Sequence, residues 1–133
     1  MSKEKKKILV IDDEPDERIY LSVLLEDNGY ITEVAKDGNE GLEKAKADPP
    51  DLITLDITMP EKSGVRFYRE IRRDKKLSKI PIVVVTGVTG LGGKAEEFHK
   101  FLSTRQQTPP PEGFIPKPVD QEKLLDTIKK LLA

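Results

Sequence analysis

LITLDITMP, residues 52–60, is the stretch that decides the fold of this chain. Its first four residues are apolar or β-branched, and its first charged residue is Asp56. Short runs of this kind, without alternation of polar and apolar residues, are typical of strands buried on both faces in a parallel sheet. We therefore interpret residues 52–57 as a buried strand with a carboxylate near its end.

Three other apolar runs along the chain also stop at polar residues. Stretches with helical spacing separate the runs, so strand-like and helix-like segments alternate. This alternation predicts an α/β fold: a doubly wound parallel sheet of five strands with helices on both faces. Such sheets bind ligands outside the carboxyl ends of their strands, which would bring the four polar pieces to one edge. These pieces are Asp12-Asp13-Glu14, Asp56, Thr86-Gly87 and Lys117-Pro118.

The bounds of the elements follow from turn residues and apolar spacing. In the first helix, Ile19, Val23 and Leu24 are expected to form the apolar stripe. Gly41 lies inside the second helix, where glycine costs about 1 kcal/mol relative to alanine, and we assign it no functional meaning. We expect strands at residues 7–11, 31–35, 52–57, 80–86 and 114–116, and helices at residues 15–27, 38–46, 65–73, 94–104 and 119–132.

Length and composition restrict the class of protein. The 133 residues suit one domain, residues 7–133, after a basic and solvated tail, residues 1–6. Lys and Arg number 23 against 24 Asp and Glu, so the net charge of −1 gives no reason to expect nucleic acid as a partner. No cysteine and one histidine exclude thiolate and multi-histidine metal sites.

The sequence contains no recognisable targeting segment. Its longest uncharged stretch, residues 80–93, is short and glycine-rich for a membrane span. We therefore expect a cytoplasmic protein with no membrane partner. The chain ends soon after Lys117, which favours a stand-alone domain without an appended output domain.

The charges expected at the sheet edge indicate a chemistry. Like-charged carboxylates repel by about 4 kcal/mol at ~4 Å and an effective dielectric constant of about 20. Protonation of one carboxylate or binding of a divalent cation relieves this repulsion, and oxygen ligands alone favour Mg²⁺ or Mn²⁺. Lys117 adds a positive charge and Thr86 adds a hydroxyl donor. A carboxylate nucleophile in such surroundings suits phosphoryl transfer.

The chain resembles the response-regulator receiver domain of two-component signalling. The resemblance rests on ILVIDDEP, the DG turn and helix before PPDLITLDITMP, Gly64 after it, PIVVVTG and FIPKP, and it covers nearly the whole chain. It implies a flavodoxin-like sheet with strand order 2-1-3-4-5. It also implies phosphorelay signal transduction by a protein that is not an enzyme, apart from its own Mg²⁺-dependent phosphorylation and dephosphorylation.

The resemblance also implies roles for individual residues. Asp56 is the expected phosphoacceptor, taking a phosphoryl group from a sensor histidine kinase or a phosphotransfer protein. Asp13, Asp56 and the backbone carbonyl of Thr58 are expected to bind Mg²⁺ directly, and Asp12 through a water molecule. The downstream protein target is unknown.

Three further residues are expected to report the state of Asp56. Lys117 is expected to pair with Asp56 and then with the phosphate, and Thr86 to bond the phosphate. Phe114 stands at the position of the family's switch aromatic, which rotates as Thr86 moves. The Lys117–Pro118 peptide is expected to be cis, which is plausible only before proline.

One segment departs from the family pattern. The stretch between Thr86 and Lys117 is longer than usual and contains QQTPPPEG, whose prolines favour an extended, stiff conformation. It is interpreted as a partner loop. Its candidate contact residues are Gln106, Pro109, Pro110 and Pro111.

Two other functions remain open on the sequence. A phosphorylation-independent adaptor would use the long segment to bind a partner regardless of Asp56. A haloacid-dehalogenase-like phosphatase also forms an aspartyl phosphate, but that family places a second aspartate two residues after its nucleophile. Here the residue two after Asp56 is Thr58, which disfavours the phosphatase.

Overall fold

The computed structural model describes residues 5–56, 63–86 and 111–133, without the side chains of residues 63–65 and 86. The helix expected at residues 94–104 lies outside this part of the chain. None of the described helices is long and apolar enough to cross a bilayer. The described elements are β1 (Lys7–Ile11), α1 (Pro15–Asp27), β2 (Ile31–Ala35), α2 (Gly38–Ala47), β3 (Leu52–Leu55), α3 (Ser63–Arg73), β4 (Ile82–Thr86), β5 (Gly113–Pro116) and α4 (Gln121–Leu132).

The five strands form one parallel sheet in the order β2-β1-β3-β4-β5. β1 lies between β2 and β3, with Leu9 opposite Glu33 on one side and Ile53 on the other. β4 and β5 extend the sheet beyond β3. The predicted α/β fold and its strand order are confirmed.

The core consists of two apolar layers, one on each face of the sheet, because successive strand residues point to opposite faces. On β1, Leu9 and Ile11 join the layer under α2 and α3, while Ile8 and Val10 join the layer under α1 and α4. All four side chains are at most 1% exposed. The helices contribute Ala45, Phe67, Tyr68 and Ile71 to the first layer and Leu21, Leu25, Leu124 and Ile128 to the second.

The stripe predicted for α1 is wrong in two of its three residues. Ile19 and Val23 are 62% and 50% exposed, while Leu21 and Leu25 are buried. Apolar residues occur on both sides of this helix, so helical spacing alone does not identify the buried face. The helix itself begins at Pro15, as predicted, and ends before Gly29, which has a φ of +94°.

Two hydrogen bonds from backbone to side chain hold the start of α2. The Asp37 carboxylate accepts a hydrogen bond from the Glu40 N–H at 2.8 Å, and the Glu40 carboxylate accepts one from the Lys36 N–H at 2.7 Å. The Lys36 N–H is the main reason that the pKa of Glu40 is lowered. The Asp37 bond satisfies an N–H that the helix start leaves unpaired, and the Glu40 bond ties the preceding residue to the helix.

Gly41 has a packing role that the sequence did not reveal. A Cβ atom at this position would lie 2.5 Å from Ile11 Cδ1 and 3.3 Å from Phe67 Cε1. The absent side chain therefore lets α2 approach the sheet and α3 closely.

The other element bounds differ from the predicted ones by one or two residues, which is ordinary at element ends. α3 begins at Ser63, and β4 begins at Ile82 because Ile80 still belongs to the preceding turn. α4 begins at Gln121, where the Asp120 carboxylate accepts a hydrogen bond from the Lys123 N–H at 3.1 Å.

Candidate functional site

The sheet register brings Asp12 and Asp56 together. Ile11 at the end of β1 pairs with Leu55 at the end of β3, so each aspartate is the next residue on its strand. The Asp56 N–H donates to the Ile11 carbonyl at 3.0 Å, which continues the ladder to the edge. The order of the strands reverses between β1 and β3, and such a switch point is the usual ligand site of an open α/β sheet.

The backbone N–H, the backbone carbonyl and the carboxylate of Asp12 all form hydrogen bonds. Its N–H donates to the Ala35 carbonyl at 3.1 Å, and its carbonyl accepts from Arg18 Nη1 at 2.7 Å. Its Oδ1 accepts from the Glu14 N–H at 3.0 Å. The side chain is 1% exposed, so these bonds fix a buried carboxylate rather than a mobile surface group.

Three carboxylates converge at this edge. Asp12, Asp13 and Asp56 each offer an oxygen, and these oxygens all lie within 4.8 Å of one another. Asp12 and Asp56 are buried, while Asp13 is exposed and leaves the cluster open to solvent. An oxygen-only donor set of this kind fits a hard divalent cation.

Lys117 supplies the positive charge of the cluster. Its Nζ lies 3.4 Å from Asp12 Oδ2 and 3.5 Å from Asp56 Oδ2. Burial by itself would lower the pKa of Lys117, but Asp56 and Asp12, with a smaller contribution from Glu17, outweigh it and raise the pKa. The side chain therefore remains an ammonium group between two buried carboxylates.

Asp12 has a perturbed ionisation. Burial raises its pKa to about 6, and the negative charge of Asp56 adds to the increase. The Glu14 N–H and the Lys117 ammonium oppose it without cancelling it. Because the pKa of a carboxyl group is ordinarily about 4, the cluster resists carrying its full negative charge.

The structure places the remaining predicted residues as follows. Phe114 is half-buried against the core layer under α2 and α3, and Pro111 is half-buried before β5. Thr86 pairs with Pro116 through the backbone, and its side chain is not described. The Lys117–Pro118 peptide is cis, as expected. The other predicted residues, Thr58, Gln106, Pro109 and Pro110, lie outside the described part of the chain.

Sequence reasoning missed Arg18. Its guanidinium contacts the carbonyl of Asp12 from the first turn of α1, and its own N–H donates to the Glu14 carbonyl at 3.0 Å. Arg18 therefore ties α1 to the loop that carries the first two carboxylates. Nothing in the local sequence distinguishes this arginine from a solvated one.

Comparisons with known proteins agree with this geometry. The family description "Response regulator receiver domain" matches residues 8–129. Protein PilH of Pseudomonas aeruginosa is 35% identical over 127 residues, which cover 96% of this chain and 98% of PilH. The chemotaxis response regulator CheY4 of Vibrio cholerae superposes with a TM-score of 0.81 at 30% identity, covering 97% of this chain and 100% of CheY4.

The same domain also occurs as part of longer proteins. The transcriptional regulatory protein PhoP of Bacillus subtilis is 34% identical over 127 residues, which cover 96% of this chain and 48% of PhoP. The family match spans nearly the whole of the present chain, and the fold and the aspartate edge agree with it. This chain belongs to the response-regulator receiver domain family of two-component and chemotaxis-type signalling.

Proposed function

We propose that the chain is a phosphorylation-dependent binding switch in which Asp56 accepts a phosphoryl group from a sensor histidine kinase or a phosphotransfer protein. One observation carries this proposal. The Asp56 carboxylate is buried beside two other aspartates at the switch point of the sheet, with the Lys117 ammonium 3.5 Å away. A turn residue alone would not account for two further carboxylates and an ammonium group around the Asp56 carboxylate.

The transfer requires a nucleophile and a means to neutralise charge. An oxygen of Asp56 forms a bond to phosphorus as the phosphorus–nitrogen bond of a phosphohistidine breaks. The bonding pair leaves with the imidazole nitrogen, which takes up a proton from water. Phosphoryl transfer depends mainly on positioning and on stabilisation of charge, so the residues around Asp56 carry most of the effect.

Mg²⁺ is the proposed cofactor, and Mn²⁺ is an acceptable substitute for the same oxygen ligands. Asp13 and Asp56 would hold the ion directly together with the carbonyl of Thr58, and Asp12 would act through a water molecule. When bound, the ion offsets the negative charge that gathers on the carboxylates and the incoming phosphoryl group. The raised pKa of Asp12 supports this proposal, because burial and the Asp56 charge disfavour full ionisation of the cluster and a cation would offset them.

Lys117 is proposed to change partners when Asp56 is modified. In the unmodified protein its ammonium lies between Asp12 and Asp56. A phosphoryl group on Asp56 adds further acceptor oxygens and charge close to Nζ, so the lysine would pair with the phosphate. This contact couples β5, which leads into Lys117, to the state of Asp56.

Thr86 and Phe114 are the proposed relay to a partner. The Thr86 hydroxyl would move toward the phosphoryl group, and Phe114 would rotate into the space that it leaves. The half-buried position of Phe114 supports this role, because such a ring can change between two packed arrangements. A downstream protein that prefers one arrangement would then read the state of Asp56. Apart from its own phosphorylation and dephosphorylation, the chain is proposed to have no enzymatic activity.

Labelling of the chain tests the acceptor. Acetyl phosphate with Mg²⁺ should label the wild type at one equivalent and should not label Asp56→Asn. Asp51→Asn is the matched control, because Asp51 precedes the same strand at the opposite edge and should be labelled like the wild type. Labelling that persists in Asp56→Asn would refute the acceptor assignment.

The same variants separate the other two functions. Sustained hydrolysis of many phosphoester molecules per protein chain would favour the phosphatase. Equal binding of a partner by the wild type, phosphorylated or not, and by Asp56→Asn would favour the adaptor. Deletion of residues 106–110, which keeps the Glu112 carboxylate that pairs with Arg72, should leave labelling intact and weaken output if the long segment contacts the partner.

A further inference from the structure

The second half of α3 and the turn that follows it carry a strong local excess of positive charge. Residues 66–79 contain seven basic side chains and only two acidic ones, Glu70 and Asp74, although the whole chain has a net charge of −1. The basic residues are Arg66, Arg69, Arg72, Arg73, Lys75, Lys76 and Lys79. Such a local concentration creates a positive field that the overall charge conceals.

Neither acidic residue of this stretch neutralises the turn. Glu70 pairs with Arg66 one helical turn earlier, at 3.0 Å. The Asp74 carboxylate accepts hydrogen bonds from the backbone N–H groups of Lys76 and Leu77, at 2.8 and 3.1 Å. Asp74 therefore faces the backbone of its own turn, where it organises the chain instead of pairing with a lysine.

Three kinds of contact fix the backbone of the turn. The Leu77 side chain is 1% exposed and anchors the turn in the core. Arg72 Nη1 donates to the carbonyls of Ser78 and Ile80, at 2.9 and 3.1 Å. The Ser78 N–H donates to the Asp74 carbonyl at 2.8 Å. Residues 73–79, the basic turn, thus have a fixed backbone, which reduces the entropy lost when a ligand binds.

Four cations project from this frame. Arg73, Lys75, Lys76 and Lys79 are exposed, and none forms an ion pair with another residue in the described part of the chain. Arg73 lies in the last turn of α3, where a cation complements the helix dipole. The three lysines lie beyond the helix end, so the dipole does not account for them.

The location of the basic turn separates it from the aspartate site. α3 follows β3 and runs back along the sheet, so the turn before β4 lies at the amino edge of the strands. Asp56 lies at the carboxyl edge. A ligand on the basic turn would therefore leave Asp56 open to a phosphoryl donor.

We propose that the basic turn is a docking surface for an acidic polypeptide segment, which it binds whether or not Asp56 is modified. The positive charge of the basic turn calls for a negatively charged partner. The surface spans only seven residues and adjoins a turn that carries two aspartates, which favours a short peptide. Asp48 and Asp51 occupy the adjoining turn at the same edge, and the Asp48 side chain is 78% exposed. Asp48 pairs with Lys7 Nζ at 2.7 Å and Asp51 accepts from the Lys7 N–H at 2.8 Å, so this turn interrupts the positive surface without extending it. A segment confined to the basic turn is therefore a better fit than a broad polyanion, such as a duplex or an anionic membrane.

Fluorescence anisotropy with a labelled 12-residue peptide of alternating glutamate and serine tests the surface. The combined variant Lys75→Ser, Lys76→Ser and Lys79→Ser should weaken binding about tenfold. The matched control is Lys123→Ser, Lys129→Ser and Lys130→Ser, which removes three exposed lysines from α4 and should bind within about twofold of the wild type. Equal losses in both variants would reduce the effect to net charge and overturn the proposal.

Asp74 distinguishes a built surface from a loose cluster of charges. Asp74→Asn removes a negative charge but keeps the acceptor for the two N–H groups, so it should bind the peptide at least as tightly as the wild type. Asp74→Ala removes the same charge and also the acceptor, and it should bind about threefold more weakly than Asp74→Asn. Equal affinities in the two variants would contradict a preorganised surface.

Competing anions and the state of Asp56 complete the test. A 12-base-pair DNA duplex and vesicles containing phosphatidylserine should bind more weakly than the peptide at the same ionic strength. Tighter binding of either one would reject the polypeptide as the partner. Wild-type protein labelled with acetyl phosphate and Mg²⁺ should bind the peptide like the unlabelled protein, and a change in affinity on labelling would reject the independence from Asp56 modification.

Discussion

Arg72 and Glu112 form an ion pair that joins the end of α3 to the start of β5. Arg72 Nη2 lies 2.6 Å from Glu112 Oε1, and the arginine side chain is only 4% exposed. The same Glu112 oxygen accepts from the Ile82 N–H at 2.8 Å, and the guanidinium lies 4.9 Å from the centre of the Tyr68 ring. The pair thus fixes the point where the chain re-enters the sheet before Phe114 and Lys117.

Loss of Glu112 should destabilise the protein markedly. Glu112→Ala leaves a nearly buried cation and the Ile82 N–H without this acceptor, so we expect the free energy of unfolding to fall by about 2–3 kcal/mol. Glu70→Ala is the matched control, because it breaks an Arg–Glu pair whose arginine is 69% exposed, and it should cost about 0.5 kcal/mol or less. Urea unfolding measures both, and similar costs would contradict the structural role of Glu112.

Gly41→Ala should be destabilising, and less so when Ile11 is shortened. In the wild type the new Cβ meets Ile11 Cδ1 at 2.5 Å, and the resulting strain should exceed the gain in helix propensity, which is about 1 kcal/mol. Ile11→Val removes Cδ1 but keeps a γ carbon, and Ile11 Cγ1 and Phe67 Cε1 lie 3.1 and 3.3 Å from the new Cβ. In that background Gly41→Ala should therefore cost clearly less than in the wild type. The four proteins of this cycle can be compared by thermal unfolding. Independent effects of the two substitutions would show that the contact does not control the packing of α2.

Gly113→Ala should be destabilising and should depend on a methyl group of α4. A Cβ at Gly113 would lie 2.9 Å from Thr127 Cγ2 and 3.1 Å from Val83 Cγ2, so we expect a cost of about 1–2 kcal/mol. Thr127→Ser removes the nearer methyl and should recover part of this loss, whereas Thr127→Val keeps it and should recover none. Chemical denaturation of the single and double variants measures the cost of Gly113→Ala in each background, and equal costs in the Thr127→Ser and Thr127→Val backgrounds would exclude this contact as the cause.

Much of the fold and of the aspartate edge could be predicted because the relevant signals are local. Uninterrupted apolar runs mark strands buried in a parallel sheet, and the polar residue that ends each run then has to reach a shared edge. This reasoning brings Asp12, Asp56 and Lys117 together, although they are far apart in sequence. The prediction rests on the order of the strands and their ends alone, so no side-chain contact has to be known.

The remaining features depend on contacts that leave no local pattern. Arg72 and Glu112 are 40 residues apart, and each resembles an ordinary surface charge in its own segment. Gly41 is explained only by the distance to Ile11, which the helix–sheet packing sets. The burial of Leu21 instead of Ile19 likewise depends on how α1 rotates against the sheet. Tertiary packing overrides propensity at these positions.

Binding of Mg²⁺ should weaken as the pH falls below about 6. The buried Asp12 carboxyl has its pKa raised to about 6, and the ion favours the ionised form, so below this pH a proton competes with the metal. The affinity should reach its full value above pH 7 and be about tenfold lower at pH 5, where binding should release about one proton, against about a tenth of a proton at pH 7. Calorimetric titration in buffers of different ionisation enthalpy measures both quantities. Asp12→Asn should bind more weakly at pH 7 but lose this dependence, and a dependence that survived in Asp12→Asn would assign the titration to another group.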